Sequence, residues 1–129
     1  MPNLHPGDPA STAGLVFIAG GVGITPIAAS LRALAEAHDP RPHHLLLAER
    51  PGEELFAAEL DRFLTRRLHL TVRRTGGAAI DPELLARTLP PDTGQRAYYV
   101  SGGPRLVTAA VDALAACGVP RTRISTAQF

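Results

Sequence analysis

Two short stretches of this chain combine residue types suited to holding an anion. The first is Gly20-Gly21-Val22-Gly23-Ile24-Thr25-Pro26, between an apolar run and a helical pattern. The second is Ser101-Gly102-Gly103-Pro104-Arg105. Glycine lets the backbone come close to a ligand and tolerates positive φ. The N–H groups at the start of a following helix face the same space, with the positive end of the helix dipole behind them. A diphosphate is the natural occupant. Two or three charge-assisted hydrogen bonds of about 1.5–3 kcal/mol each, less the entropy of association, give micromolar to millimolar binding, a range suited to an exchangeable cofactor. The dinucleotide fingerprint G-x-G-x-x-G is incomplete, because it requires glycine where Pro26 stands.

The elements that must position these turns are legible in the pattern. "LVFIA" is a short continuous apolar run of the kind found in strands buried on both faces of a parallel sheet. Ile27, Leu31 and Leu34 then recur at helical spacing, with Thr25 as N-cap, Pro26 at the first helical position and an end near His38. "HHLLLA" is the second strand, and Phe56, Leu60, Phe63 and Leu64 mark the buried stripe of a second helix. "LHLTVRR" is a third strand, followed by a short helix with Asp81 as N-cap and Pro82 in first position. "AYYVS" is the fourth strand. A helix burying Val107, Ala110, Val111 and Leu114 stops at Gly118, and "RISTAQF" is a fifth strand.

Strand and helix alternate about four times, which calls for an α/β fold: a three-layer, doubly wound parallel sheet with right-handed crossovers. Ligands in that architecture sit beyond the carboxyl ends of the strands, where the strand order reverses. Both glycine turns fall at such ends.

Composition narrows the chemistry. The 129 residues fit one domain, read as residues 15–129 behind a proline- and glycine-rich linker at 1–14. A net charge of +1 gives no field that points to nucleic acid or an anionic membrane. Every basic side chain is arginine, which removes lysine Schiff-base chemistry and a P-loop lysine. A single cysteine, Cys117, excludes an internal disulfide and any multi-cysteine metal or iron–sulfur site, and reads as a small core residue. His43 and His44 are neighbours on a strand and point to opposite faces, so no metal site is expected from them. Glu59 and Asp61 show no acid or base partner for hydrolysis. No apolar run approaches the roughly 20 residues of a membrane span, and the N-terminus carries no secretory pattern, so the expected location is cytoplasmic.

"LVFIAGGVGITPIAASLRAL", "AERPGEELFAAEL" and "YYVSGGPRLVTAAVDALAACGVPRTRISTAQF" together resemble the pyridine-nucleotide-binding domain of the ferredoxin–NADP(+) reductase superfamily. The resemblance covers nearly everything from Leu15 to Phe129, in order and spacing. It implies a five-stranded sheet of order 3-2-1-4-5, which sets strands one and four side by side and joins the two turns. It also implies that the turn from Gly20 to Pro26 takes the pyrophosphate and nicotinamide ribose of NAD(P)H, with Thr25 a contact. Ser101, Gly102, Gly103, Pro104 and Arg105 then lie beside the nicotinamide, with Ser101 as the catalytic hydrogen-bonding group. Relatives carry Cys-Gly-Pro or Ser-Gly-Pro-Pro there, so Gly103 loosens the turn.

The family's chemistry is hydride transfer to FAD or FMN, then electron steps to an acceptor such as an iron–sulfur protein. The flavin sits on a β-barrel domain or subunit that normally precedes this one and is not in this sequence. Arg50 closes strand two, where the adenosine ribose or its 2′-phosphate belongs. The adjacent Glu49 argues for the opposite cofactor, so NADH against NADPH stays open. Phe129, last in the chain, stands where an aromatic can cover the flavin. The alternatives are a non-catalytic nucleotide-sensing or assembly module, and a fragment of a longer reductase.

Overall fold

The computed structural model describes residues 13–50, 52 and 56–129, with the backbone alone at 62 and 63. The proposed linker therefore lies outside the described residues up to position 12, and Phe63 lies outside the described side chains.

Strand β1 (Leu15–Ala19) has all five residues buried because it is paired on both edges and covered on both faces. Its partners are β2 (His43–Leu47) and β4 (Ala97–Gly102), and β3 (Leu70–Arg74) and β5 (Ile124–Gln128) close the two edges. Every pairing is parallel and the order is β3-β2-β1-β4-β5, as the resemblance implied.

Alternation along the strands divides the core into two layers. Leu15, Phe17 and Ala19 face Ile24, Ile27, Leu31 and Leu34 of helix α1 (Ile24–Glu36), together with Leu60 and Leu64. Those two leucines belong to α2, a helical run with α-helical ends, Ala57–Glu59 and Thr65–Arg67, around a π-helical stretch, Leu60–Leu64. Val16 and Ile18 point the other way, against Leu84 and Leu85 of α3 (Pro82–Thr88) and Val107, Ala110 and Leu114 of α4 (Pro104–Ala116). The three-layer arrangement follows directly.

Helix boundaries depart from the sequence expectation in instructive ways. Gly23, not Thr25, is the N-cap of α1, so Thr25 and Pro26 are its second and third residues. A single 3-10 turn, Gly21–Gly23, precedes it. Proline is tolerated there because the first turn's N–H groups have no intrahelical acceptor to lose. The helix ends at Glu36. His38 takes a left-handed φ of 52°, and Asp39 N–H reaches back to Leu34 O at 3.1 Å, so histidine fills a place usually given to glycine. Cys117 is half-buried at the margin of the core, its thiol 3.7 Å from Pro82 O.

Glu59 has a partner that the sequence did not show. Arg32 grips it through two hydrogen bonds, at 2.5 and 2.7 Å, and lays its guanidinium 5.3 Å from the Phe56 ring centroid, tying α1 to α2.

Asp81 caps α3 as expected: its Oδ1 accepts Leu84 N–H at 2.8 Å, with Pro82 next in line. Asp81→Ala is expected to lower unfolding stability by about 1 kcal/mol. Denaturant titration with an unchanged m-value checks this, and an unchanged midpoint would show that the cap contributes nothing.

Candidate functional site

The sheet register places the two glycine turns against each other. Ala19 is paired with Ser101 at the carboxyl ends of β1 and β4, and one residue further Gly20 N–H donates to Ser101 O at 3.2 Å. The chain then folds over this contact, with Gly23 N–H donating to Gly20 O at 3.0 Å. A Cβ on Gly23 would fall on the Ser101 carbonyl, so this glycine is required by contact between two backbones although its φ of −60° suits any residue. Gly20 and Gly102 are both held by Leu106: a Cβ on either would come within 2.7 or 2.5 Å of its Cδ2. Leu106, in the first turn of α4, supports both turns from below and was missed by sequence reasoning. Only its apolar type and position offered a signal.

Above this floor the backbone is open. Gly21 has a φ of 55° and nothing within 4 Å of its would-be Cβ; Gly103 is equally open. Neither α1 nor α4 has a side-chain cap, whereas α3 does. At α1 the N–H groups of Gly23 and Ile24 are taken up by the preceding 3-10 turn, whereas the start of α4, behind Gly103 and without a side-chain cap, is of the kind that receives an anion. Val22 and Phe129 are the exposed large apolar side chains among the described residues, at 63% and 61%. Phe129 N–H donates to Gly102 O at 3.0 Å, so the end of the chain is fastened beside the second turn.

Ser101 is fully buried, and its Oγ has no hydrogen-bond partner among the described residues. It shares the α1 face of β4 with Ala97 and Tyr99, so the hydroxyl lies on the side of the sheet over which the first turn folds. A buried hydroxyl without a protein partner is costly.

The remaining candidates divide. Arg105 and Pro104 are exposed at the start of α4, and Thr25 is exposed one residue into α1. Ile24 is not a side-chain contact: it is fully buried in the core, and its N–H is used by the carbonyls of Gly21 and Val22. Arg50 is exposed beyond β2 and rests its stem against Gly77, 3.3 Å from that residue's would-be Cβ, so it belongs to the β2–β3 end of the cleft. Glu49 beside it is buried. Arg74 is paired with Asp61 at 3.3 Å on the surface. Among the described residues no three His, Cys, Asp or Glu side chains converge as metal ligands. No helix among them is long and apolar enough to cross a membrane.

The sheet order brings the two turns together at the switch point between β1 and β4, the place where doubly wound α/β domains bind their ligands. The chain belongs to the oxidoreductase NAD-binding domain family, whose pattern matches residues 17–112. It is 29% identical over 130 residues to the reductase component of propane 2-monooxygenase from Rhodococcus jostii (strain RHA1), covering 89% of this chain and 35% of that one. It therefore spans about a third of the length of this curated relative. The flavohem-like FAD/NAD-binding domain of nitric oxide dioxygenase from Vibrio cholerae O1 biovar El Tor superposes with a TM-score of 0.77 at 24% identity, over 98% of this chain and 53% of that one. Flavohemoglobin from Malassezia yamatoensis, determined with bound FAD and heme, gives 0.80 at 22%, over 95% and 33%. These two likenesses establish the fold.

Gly23→Ala should force the turn away from β4 and cost about 1–3 kcal/mol or more, as overpacking does. Thermal unfolding measures the loss, and a variant as stable as the parent would show that the two backbones can separate freely.

Proposed function

We propose that this chain presents NAD(P)H for hydride transfer to a flavin carried by a separate domain or subunit, within an electron-transfer reductase. The observation that carries the reading is the pair of glycine turns held together by the Gly20 N–H to Ser101 O bond, both opening on one uncapped, anion-receptive surface. When bound, the nicotinamide supplies the hydride. The chain supplies the cradle. Backbone at Gly21 to Gly23 and the start of α1 holds the pyrophosphate, Gly102 to Arg105 borders the nicotinamide, and Ser101 offers its hydroxyl to a polar group of the ring. Arg50, at the far end of the cleft, contacts the adenosine end.

Val22 and Phe129 support the flavin side of this reading. Two large apolar groups exposed beside an otherwise polar and glycine-rich opening suit a flat partner that covers them, either an isoalloxazine ring or the β-barrel that holds it. The acceptor of the electrons is then a redox protein docked on that partner, such as an iron–sulfur protein. A relative named as the reductase component of a monooxygenase, and a structural neighbour named as the FAD/NAD-binding domain of a nitric oxide dioxygenase, fit the same scheme.

The test is calorimetric titration of the full chain with NADH and with NADPH, followed by reduction of added FAD or FMN under anaerobic conditions. Saturable binding of at least one nucleotide in the micromolar to millimolar range is expected. Absence of heat for both at millimolar nucleotide would overturn the reading, and binding without flavin reduction would favour a sensing module. In the same assay Ser101→Ala should leave the melting temperature unchanged or slightly raised, since it removes an unsatisfied group. It should slow flavin reduction by about three- to tenfold, the worth of one hydrogen bond. An unaltered rate would remove Ser101 from the reaction.

A further inference from the structure

The opposite end of the sheet holds a buried polar cluster that the nucleotide site does not use. His43, the first residue of β2, is 1% exposed. Its Nδ1 lies 3.0 Å from the backbone N of Leu15, the first residue of β1, and its Nε2 lies 3.1 Å from Asp39 Oδ1. A backbone N–H can only donate, so Nδ1 must be an unprotonated acceptor. The ring proton then sits on Nε2 and is donated to Asp39. An imidazolium, with a proton on both nitrogens, cannot make this pair of contacts. It would turn one N–H against another.

The groups facing the ring come from three connections. Asp39 and Arg41 lie between α1 and β2, where Arg41 grips Asp39 through Nε at 3.0 Å and Nη2 at 2.7 Å. Arg96, 4% exposed just before β4, donates from Nη1 to Pro42 O at 2.5 Å and from Nε to Asp92 Oδ1 at 2.8 Å. Gly14, with a φ of 97°, is wedged between Pro42 O and Arg96, with a would-be Cβ only 3.2 Å from Arg96 Nη1. His44, on the other face of β2, lies within the field of Arg96, Asp92 and Arg73.

We propose that His43 is a proton-controlled latch that fastens the start of β1. In its neutral Nε2–H form the ring closes the sheet at Leu15, at a place where the parallel register begins only with Leu15 beside Ala97 and Val16 beside His44. Protonation releases the Leu15 N–H and pushes the Gly14–Leu15 backbone off the ring.

Burial holds the His43 pKa below 6.5, and the positive charges of Arg41 and Arg96 act the same way, outweighing the attraction of Asp39. Burial works against ionisation of Asp39, but the hydrogen bonds and charge of Arg41, with His43, bring its carboxyl down to about 2. A group whose pKa is lower folded than unfolded is protonated first in the unfolded chain. The latch's contribution to stability is therefore complete above about pH 6.5 and falls as pH drops towards the folded-state value.

The test is NMR on the full-length chain. Nitrogen-15 shifts of the His43 ring at about pH 8 should show the Nε2–H tautomer, and the Nδ1–H tautomer would overturn the proposal. Across the His43 titration the protection factor of the Leu15 amide, corrected for its intrinsic exchange rate, should drop by roughly tenfold, the size of one buried hydrogen bond. Constant protection while His43 gains its proton would equally refute the latch. His43→Asn keeps an oxygen acceptor near the Nδ1 position but cannot titrate, so Leu15 protection should persist to lower pH. His44→Asn is expected to leave the Leu15 profile unchanged. A Leu15 profile that follows His44 instead assigns the effect to the other ring and contradicts the proposal.

Discussion

The contact on which the rest of this molecule depends is backbone against backbone: the first glycine turn lies on the Ser101 carbonyl at the end of β4. Gly20 N–H makes the hydrogen bond, and Gly23 lacks the Cβ that would prevent the approach. The approach is possible only because β1 and β4 are neighbours, which is the point of reversal in a 3-2-1-4-5 sheet. The same reversal leaves both following helices with their starts exposed on one surface. Leu106 completes the arrangement by lying against Gly20 and Gly102 together.

The two ends of the sheet solve opposite problems. The carboxyl end carries helix starts without side-chain caps, the buried Ser101 hydroxyl and two exposed apolar side chains. At the amino end Arg96, Arg41 and His43 hold neighbouring segments together. Arg96 serves Pro42 and Asp92, Arg41 serves Asp39, and His43 joins Asp39 to Leu15.

The succession of elements was legible in the sequence, because continuous apolar runs alternating with helical periodicity leave little choice but a parallel, doubly covered sheet; that β1 and β4 are neighbours, so that the glycine turns meet, was implied only by the family resemblance. Ends of helices were less so. Thr25 looked like a cap because its type suits that role, but the glycines ahead of it begin the helical path earlier, through a 3-10 turn. His38 and Phe56 occupy left-handed conformations that their side chains do not advertise. The π-helical stretch from Leu60 to Leu64 was equally hidden, since one extra residue in a turn leaves a stripe of leucines looking ordinary. Contacts between distant segments, such as Leu106 under two turns, Arg32 on Glu59 or Leu15 on His43, carry no local signal at all.

Nucleotide binding by this chain stands or falls on where the ligand touches it. Titration of the isotopically labelled protein with NADH and NADPH, followed by backbone amide shifts, addresses this directly. The largest changes are expected at Gly20 to Thr25 and Gly102 to Arg105, with a smaller group at Arg50 and Gly77. Changes concentrated away from the carboxyl ends of β1 and β4, or no saturable change with either nucleotide, would contradict it.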